Sequence, residues 1–142
     1  MALGKNKKLD LIKGVPLFEH CSKSELQHIA QIADEIDLRE GKELIREGER
    51  GREFFVIVSG EVDVRRKGRK IAALGPGGFV GEMALLSKAP RSATVTATTP
   101  LDVLVITDRA FRDLLERNTE IWLKVTRALA ERLGNDDLGN PV

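Results

Sequence analysis

Gly75-Pro76-Gly77-Gly78-Phe79-Val80-Gly81-Glu82-Met83-Ala84-Leu85-Leu86-Ser87-Lys88-Ala89-Pro90-Arg91-Ser92-Ala93-Thr94-Val95 is the stretch on which the reading of this chain turns. Four glycines fall within residues 75–81 and interrupt a pattern that is otherwise β-rich. Glycine tolerates positive φ and lets backbone approach a ligand closely. Here the glycines run into Glu82-Met83-Ala84-Leu85-Leu86, a turn of good helix formers. Amides exposed at such a start form an anion site, and beyond the Pro90 turn Arg91 offers a planar fork suited to two phosphate oxygens. Two familiar nucleotide loops do not fit. A Walker loop needs Gly-Lys-Ser/Thr where this chain has Gly81-Glu82-Met83, and a dinucleotide fingerprint begun at Gly75 meets Val80 where its third glycine belongs.

On both sides of this loop the sequence reads as strands. Phe54-Phe55-Val56-Ile57-Val58, the turn Ser59-Gly60, and Val62 and Val64 alternating with Glu61, Asp63 and Arg65 predict a hairpin. Ile71 to Leu74, Ala93 to Ala97 and Leu101 to Ile106 predict further short strands, spaced as in a small antiparallel barrel or sandwich. Outside the strands the period becomes helical. Leu26, Ile29, Ala30 and Ala33 share a face behind the capping-box pair Ser22 and Glu25. Leu9, Leu11 and Ile12 predict a short leading helix, followed by the turn Val15-Pro16-Leu17-Phe18. After Thr107, Phe111, Leu114 and Leu115, then Ile121, Val125, Ala128, Leu129 and Leu133, predict two closing helices. Helix, sheet, helix is an α+β order. We read residues 1–142 as one domain with its core at 15–133 and with 1–8 and 134–142 as flexible ends.

The spacing Gly81-Glu82-Met83-Ala84-Leu85-Leu86, four residues, then Arg91-Ser92-Ala93-Thr94-Val95 closely resembles the phosphate-binding cassette of the cyclic nucleotide-binding domain family. The likeness extends over roughly Val15 to Leu133. It implies an eight-stranded antiparallel jelly-roll barrel flanked by N-terminal helices and two C-terminal helices. It also implies roles. Glu82 would accept a hydrogen bond from the ribose 2′-hydroxyl, and Gly81 would let the sugar approach the backbone. The amides of Ala84 and Leu85, with Arg91, would hold the phosphate. Ser92 would serve the phosphate or the base, and Val64, Ile71 and Met83 would wall the purine. The expected ligand is cAMP, with cGMP as the alternative, and no cofactor or metal is expected. In this family the last helix moves onto the nucleotide, which makes Arg132, Asn135 and Asp136 candidates for the base edge and Leu114 and Leu115 candidate hinge contacts.

Composition narrows the alternatives. With 23 basic and 22 acidic residues the net charge is +1, so no broad field attracts nucleic acid or an anionic membrane. Direct DNA binding and membrane association are not expected, and a helix-turn-helix would need about 60 further residues. The lone Cys21 forms no internal disulfide, and no signal peptide or spanning segment is visible, which points to the cytoplasm. Catalysis is not expected, since His20 and His28 lie far from the cassette and no metal-ligand spacing occurs. Arg65, Arg66, Lys67, Arg69 and Lys70 around Gly68 read as one solvated hairpin tip, and Trp122 as packing on the barrel or on a second copy, with a lid over the base as the alternative. The functional expectation is a non-catalytic sensor signalling through its C-terminal helices to an effector protein or a second copy. The rival is a degenerate domain used for structure or docking.

Overall fold

A computed structural model describes residues 3–134. Three N-terminal elements, helix α1 (Lys5–Lys13), a 3₁₀ turn (Pro16–Phe18) and helix α2 (Lys23–Gln31), precede the strands. Helix α2 starts as the sequence predicts: Ser22 Oγ accepts from the Glu25 amide, and the Glu25 carboxylate accepts from the Ser22 amide. Strands β1 (Asp34–Leu38), β2 (Glu43–Ile45), β3 (Glu53–Ser59), β4 (Val62–Arg66) and β5 (Arg69–Leu74) follow. After β6 (Phe79–Val80) comes a short 3₁₀ helix, Glu82–Leu85, then β7 (Thr94–Ala97) and β8 (Leu101–Thr107). Helices α3 (Asp108–Arg117) and α4 (Thr119–Gly134) follow β8, with the Thr107 hydroxyl capping α3 by accepting from the Ala110 amide.

The eight strands form two antiparallel four-stranded sheets, ordered β1-β8-β3-β6 and β2-β7-β4-β5. The jelly-roll expectation holds, but the sheets are not closed into a barrel. The hairpin predicted around Gly60 is also different. Strand β3 pairs with β8 and β6 while β4 pairs with β5 and β7, so the turn carries the chain from one sheet to the other. Apolar alternation on each side of a turn looks alike whether the two strands pair with each other or with different neighbours.

Parity along β3 explains its unbroken apolar run. Phe54 and Val56 face the helices, packed with Phe18, Leu26, Phe111 and Ile121, whereas Phe55 and Ile57 face the second sheet, packed with Val62, Val64 and Val95. Strand β3 is therefore covered on both sides, and a strand so placed has no polar face. Strand β4 has one wet face: Val62 and Val64 are buried, and Asp63 and Arg65 turn outward, where Asp63 pairs with Arg65 and Lys70. A chain of rings, Phe111 to Phe18 at 5.9 Å, Phe18 to Phe54 at 6.4 Å and Phe54 to Phe79 at 6.2 Å, links α3 to the strand that leads into the cassette.

Candidate ligand-binding site

Strand β6 delivers the chain to Gly81, which adopts φ 83° and ψ 18° and caps the short helix Glu82–Leu85. A side chain here would be strained, and it would also collide: a Cβ on Gly81 would stand 2.5 Å from Nη1 of Arg91 and 2.9 Å from the Glu53 carbonyl oxygen. A glycine at 81 is thus what lets the Arg91 guanidinium lie against the start of the cassette helix. Gly51 flanks the same guanidinium, since a Cβ there would be 2.3 Å from Nε of Arg91.

Arg91 is set by its backbone as well as by these glycines. Its amide donates to the Glu49 carbonyl at 2.8 Å and its carbonyl accepts from the Gly48 amide at 2.9 Å, tying the cassette's end to the turn after β2. Its side chain is 9% exposed; Nη2 donates to the Glu53 carbonyl at 2.7 Å and lies 3.9 Å from the Glu53 carboxylate. Burial pulls this guanidinium below its ordinary value, with the Glu53 charge opposing, and arginine stays charged at neutral pH regardless. A buried, charged arginine is costly unless something offsets the lost hydration. Glu82, directly after Gly81, is the one charged residue with a buried side chain among those described, at 1% exposure. The cassette thus concentrates a buried carboxylate and a largely buried cation around a single glycine.

The other predicted residues sort by exposure. Met83 at 43% and Ile71 at 41% are large apolar side chains left open to solvent. Ile71 sits where the β4–β5 register shifts, opposite Val64 and Arg65, and such a bulge re-aims a side chain. Val64 is fully buried between the sheets, behind that surface. Leu85 packs into the helical core, and Ala84 closes the turn by donating its amide to the Gly81 carbonyl at 3.0 Å. Ser92 is exposed, and its carbonyl accepts from Nε of Arg66 at 2.9 Å. The sequence reading missed Gly51 and Glu53, which frame Arg91. Arg50-Gly51-Arg52 carried a signal in its glycine between two charges, but the role of Glu53 is carried by its backbone carbonyl, which leaves no trace in residue type. The base-edge candidates Asn135 and Asp136 lie outside the described residues, as does the side chain of Arg132.

A cavity of about 440 Å³ lies to one side of these residues. It shares only Ala84 and Leu85 with the predicted site and runs between Ala84–Lys88 and the helices, lined by Arg112, Leu115, Trp122, Val125 and Leu129. Its apolar walls are what the closing helices present to Ala84–Lys88. Trp122 is 47% exposed and lines this cleft instead of packing against a sheet.

Comparison with known proteins agrees with this arrangement. The cyclic nucleotide-binding domain family matches residues 35–118, more than half of the chain. A cAMP-dependent protein kinase regulatory subunit of Mycosarcoma maydis is 43% identical over 113 residues, 71% of this chain and 21% of that protein. A cyclic nucleotide-gated potassium channel of Rhizobium etli is 36% identical over 124 residues, 87% of this chain and 35% of that protein. The chain therefore spans about a fifth to a third of the length of these relatives. Among solved structures, the N-terminal domain of a transcriptional regulator from Streptomyces coelicolor superposes with a TM-score of 0.82 at 28% identity, covering 90% of this chain and 95% of that one. The regulatory domain of Toxoplasma gondii PKA, crystallised with cAMP, gives a TM-score of 0.72 at 29% identity over 78% of this chain and 44% of that one. The glycine-framed cassette, the two-sheet jelly roll and these likenesses agree: this chain belongs to the cyclic nucleotide-binding domain family.

Proposed function

We propose that the domain senses a cyclic nucleotide, cAMP in the first instance, and relays its binding through α3 and α4. Domains of this family are regulatory and non-catalytic, and so is this one. The observation that carries the reading is the pairing, around Gly81, of a buried Glu82 with an Arg91 guanidinium that is only 9% exposed. A cyclic phosphodiester has one negative charge for Arg91 and a ribose 2′-hydroxyl for the carboxylate of Glu82. The exposed Met83 and Ile71 supply the apolar surface that a base requires.

Relay to the helices follows from contacts on the other side of the cassette. Leu85 belongs to the same apolar cluster as Phe111 and Leu114 of α3 and Val125 of α4. The 440 Å³ cleft between Ala84–Lys88 and α4 leaves room for the helices to close when the cassette shifts. The reader of that shift is an effector chain or a second copy of this one, and the setting is the cytoplasm, where the unpaired Cys21 stays reduced. The test is calorimetric titration with cAMP and cGMP, together with amide exchange of α3 and α4 with and without saturating ligand. Heat of binding with slowed exchange in both helices supports the reading; binding with unchanged exchange removes the relay and leaves only capture.

A structural or docking role without ligand is the second reading. It is favoured by the Ala84 amide, already used on the Gly81 carbonyl at 3.0 Å, which a phosphate would have to displace. Absence of heat and of thermal stabilisation with every cyclic nucleotide tried would favour it.

A further inference from the structure

We infer that the cleft between Ala84–Lys88 and helix α4 is a second binding site, and that it takes a small amphipathic monoanion, a carboxylate carried on an apolar tail. The inference goes beyond the cyclic nucleotide reading and does not depend on it. The cleft measures about 440 Å³, within the range of about 300–1,000 Å³ in which small-molecule sites fall. Its long wall is one face of α4. Trp122, Val125 and Leu129 line it at steps of three and four residues, an apolar track of about 10 Å along the helix axis. Leu86 and Leu115 line it from the cassette side and from α3. Trp122 is 47% exposed, so covering the open part of its ring gives an apolar ligand a hydrophobic gain.

Charge then selects among apolar ligands. Lys88, at the end of the cassette segment, and Arg112, on α3, both line the cleft, so cations reach it from two walls. On α4, Lys124 and Arg127 are answered by Glu25 and Glu131. Lys88 and Arg112 have no ion-pair partner among the described residues. The acid that lines the cleft, Asp108, stands in the first turn of α3, where the helix dipole favours its charge. Two cations against one carboxylate leave one positive charge for a ligand to meet. A neutral ligand leaves that charge unused, and a cationic one is repelled by it. A dianion brings a second charge against an apolar wall at a desolvation cost. The carboxylate of a monoanion therefore belongs with Lys88 and Arg112, and its tail along Trp122, Val125 and Leu129.

Decanoate is the probe, with decanol and decylammonium as controls that keep the tail and change the head. Each is titrated into the whole chain by calorimetry and by the fluorescence of Trp122, the only tryptophan in the sequence. The proteins are the wild type and the double variant Lys88→Gln with Arg112→Gln. Both substituted residues are exposed, so the fold should persist, and melting curves check it. The expected result is saturable one-to-one binding of decanoate with a change in Trp122 emission, affinity for decanol at least about 10-fold lower, and no binding of decylammonium. The double variant should lose about 10-fold for decanoate and leave decanol unchanged. Failure of decanoate to saturate the wild type, or equal affinity for decanoate and decanol, would overturn the inference. So would decanoate affinity that survives the double substitution, or binding that leaves Trp122 emission unchanged. None of these outcomes touches the cyclic nucleotide reading, which is tested with its own ligands.

Discussion

Nη2 of Arg91 donates to the backbone carbonyl of Glu53 at 2.7 Å, while Nη1 of the same guanidinium occupies the space that a Cβ on Gly81 would need. The cation is therefore held by a carbonyl on one side and has room on the others only because Gly81 and Gly51 lack side chains. Preorganisation of this kind lowers the cost of ordering a long side chain on binding.

Two glycine substitutions separate the framing of Arg91 from the stability of the fold. Gly81→Ala places an L side chain at φ 83° and against both Arg91 and the Glu53 carbonyl. It should destabilise the domain by about 2 kcal/mol and abolish ligand binding. Gly51→Ala meets only the flexible Arg91 side chain at a φ that needs no glycine. It should leave the melting temperature within about 2 °C and weaken nucleotide binding at least about 10-fold. Thermal melts paired with titration check both, and a Gly51→Ala variant with wild-type affinity would show that the position of Arg91 does not matter.

The outer face of β1 and β8 gives a pH dependence. Burial first, then the neighbouring Glu35 and Asp37, push the Asp102 carboxyl from 3.8 up to about 6, and hydrogen bonding from Asp102 holds Glu35 below its ordinary value. The folded state thus binds this proton more tightly than the unfolded chain. The resulting stabilisation is complete below pH 3.8 and lost as pH rises through about 6. Asp102→Asn should therefore raise the melting temperature at pH 7.5 by about 3 °C and give a smaller gain at pH 4.5. A gain independent of pH would contradict the assignment.

Cys21 should be nearly inert. Burial, and then the Glu25 carboxylate, raise its thiol to about 11, with Lys124 opposing. Alkylation by iodoacetamide at pH 7.5 should be at least about 100-fold slower than that of an exposed thiol. A rate within 10-fold of free cysteine would mean that the segment joining the Pro16–Phe18 turn to α2 opens readily.

How much of this was legible in the sequence varies with the kind of signal. Ser22 and Glu25 announced the start of α2 because a capping box is local chemistry between residues three apart. The cassette was legible because Gly81, Glu82 and Arg91 stand at a fixed spacing that resembles a family motif. Strands β1, with Asp34, Glu35 and Asp37, and β2, only Glu43–Ile45, were not, since an acidic edge strand and a three-residue strand carry little apolar alternation. Partner choice was hidden as well: nothing in Phe54–Val64 reveals that Ser59-Gly60-Glu61 crosses between sheets instead of closing a hairpin.

The central claim is tested most directly by titrating the wild type and Arg91→Ala with cAMP under identical conditions, with melting curves to show that both are folded. Charge-assisted hydrogen bonds to a buried phosphate predict saturable one-to-one binding by the wild type and a loss of about 100-fold or more in the variant. Equal affinity in a folded Arg91→Ala protein would contradict the account.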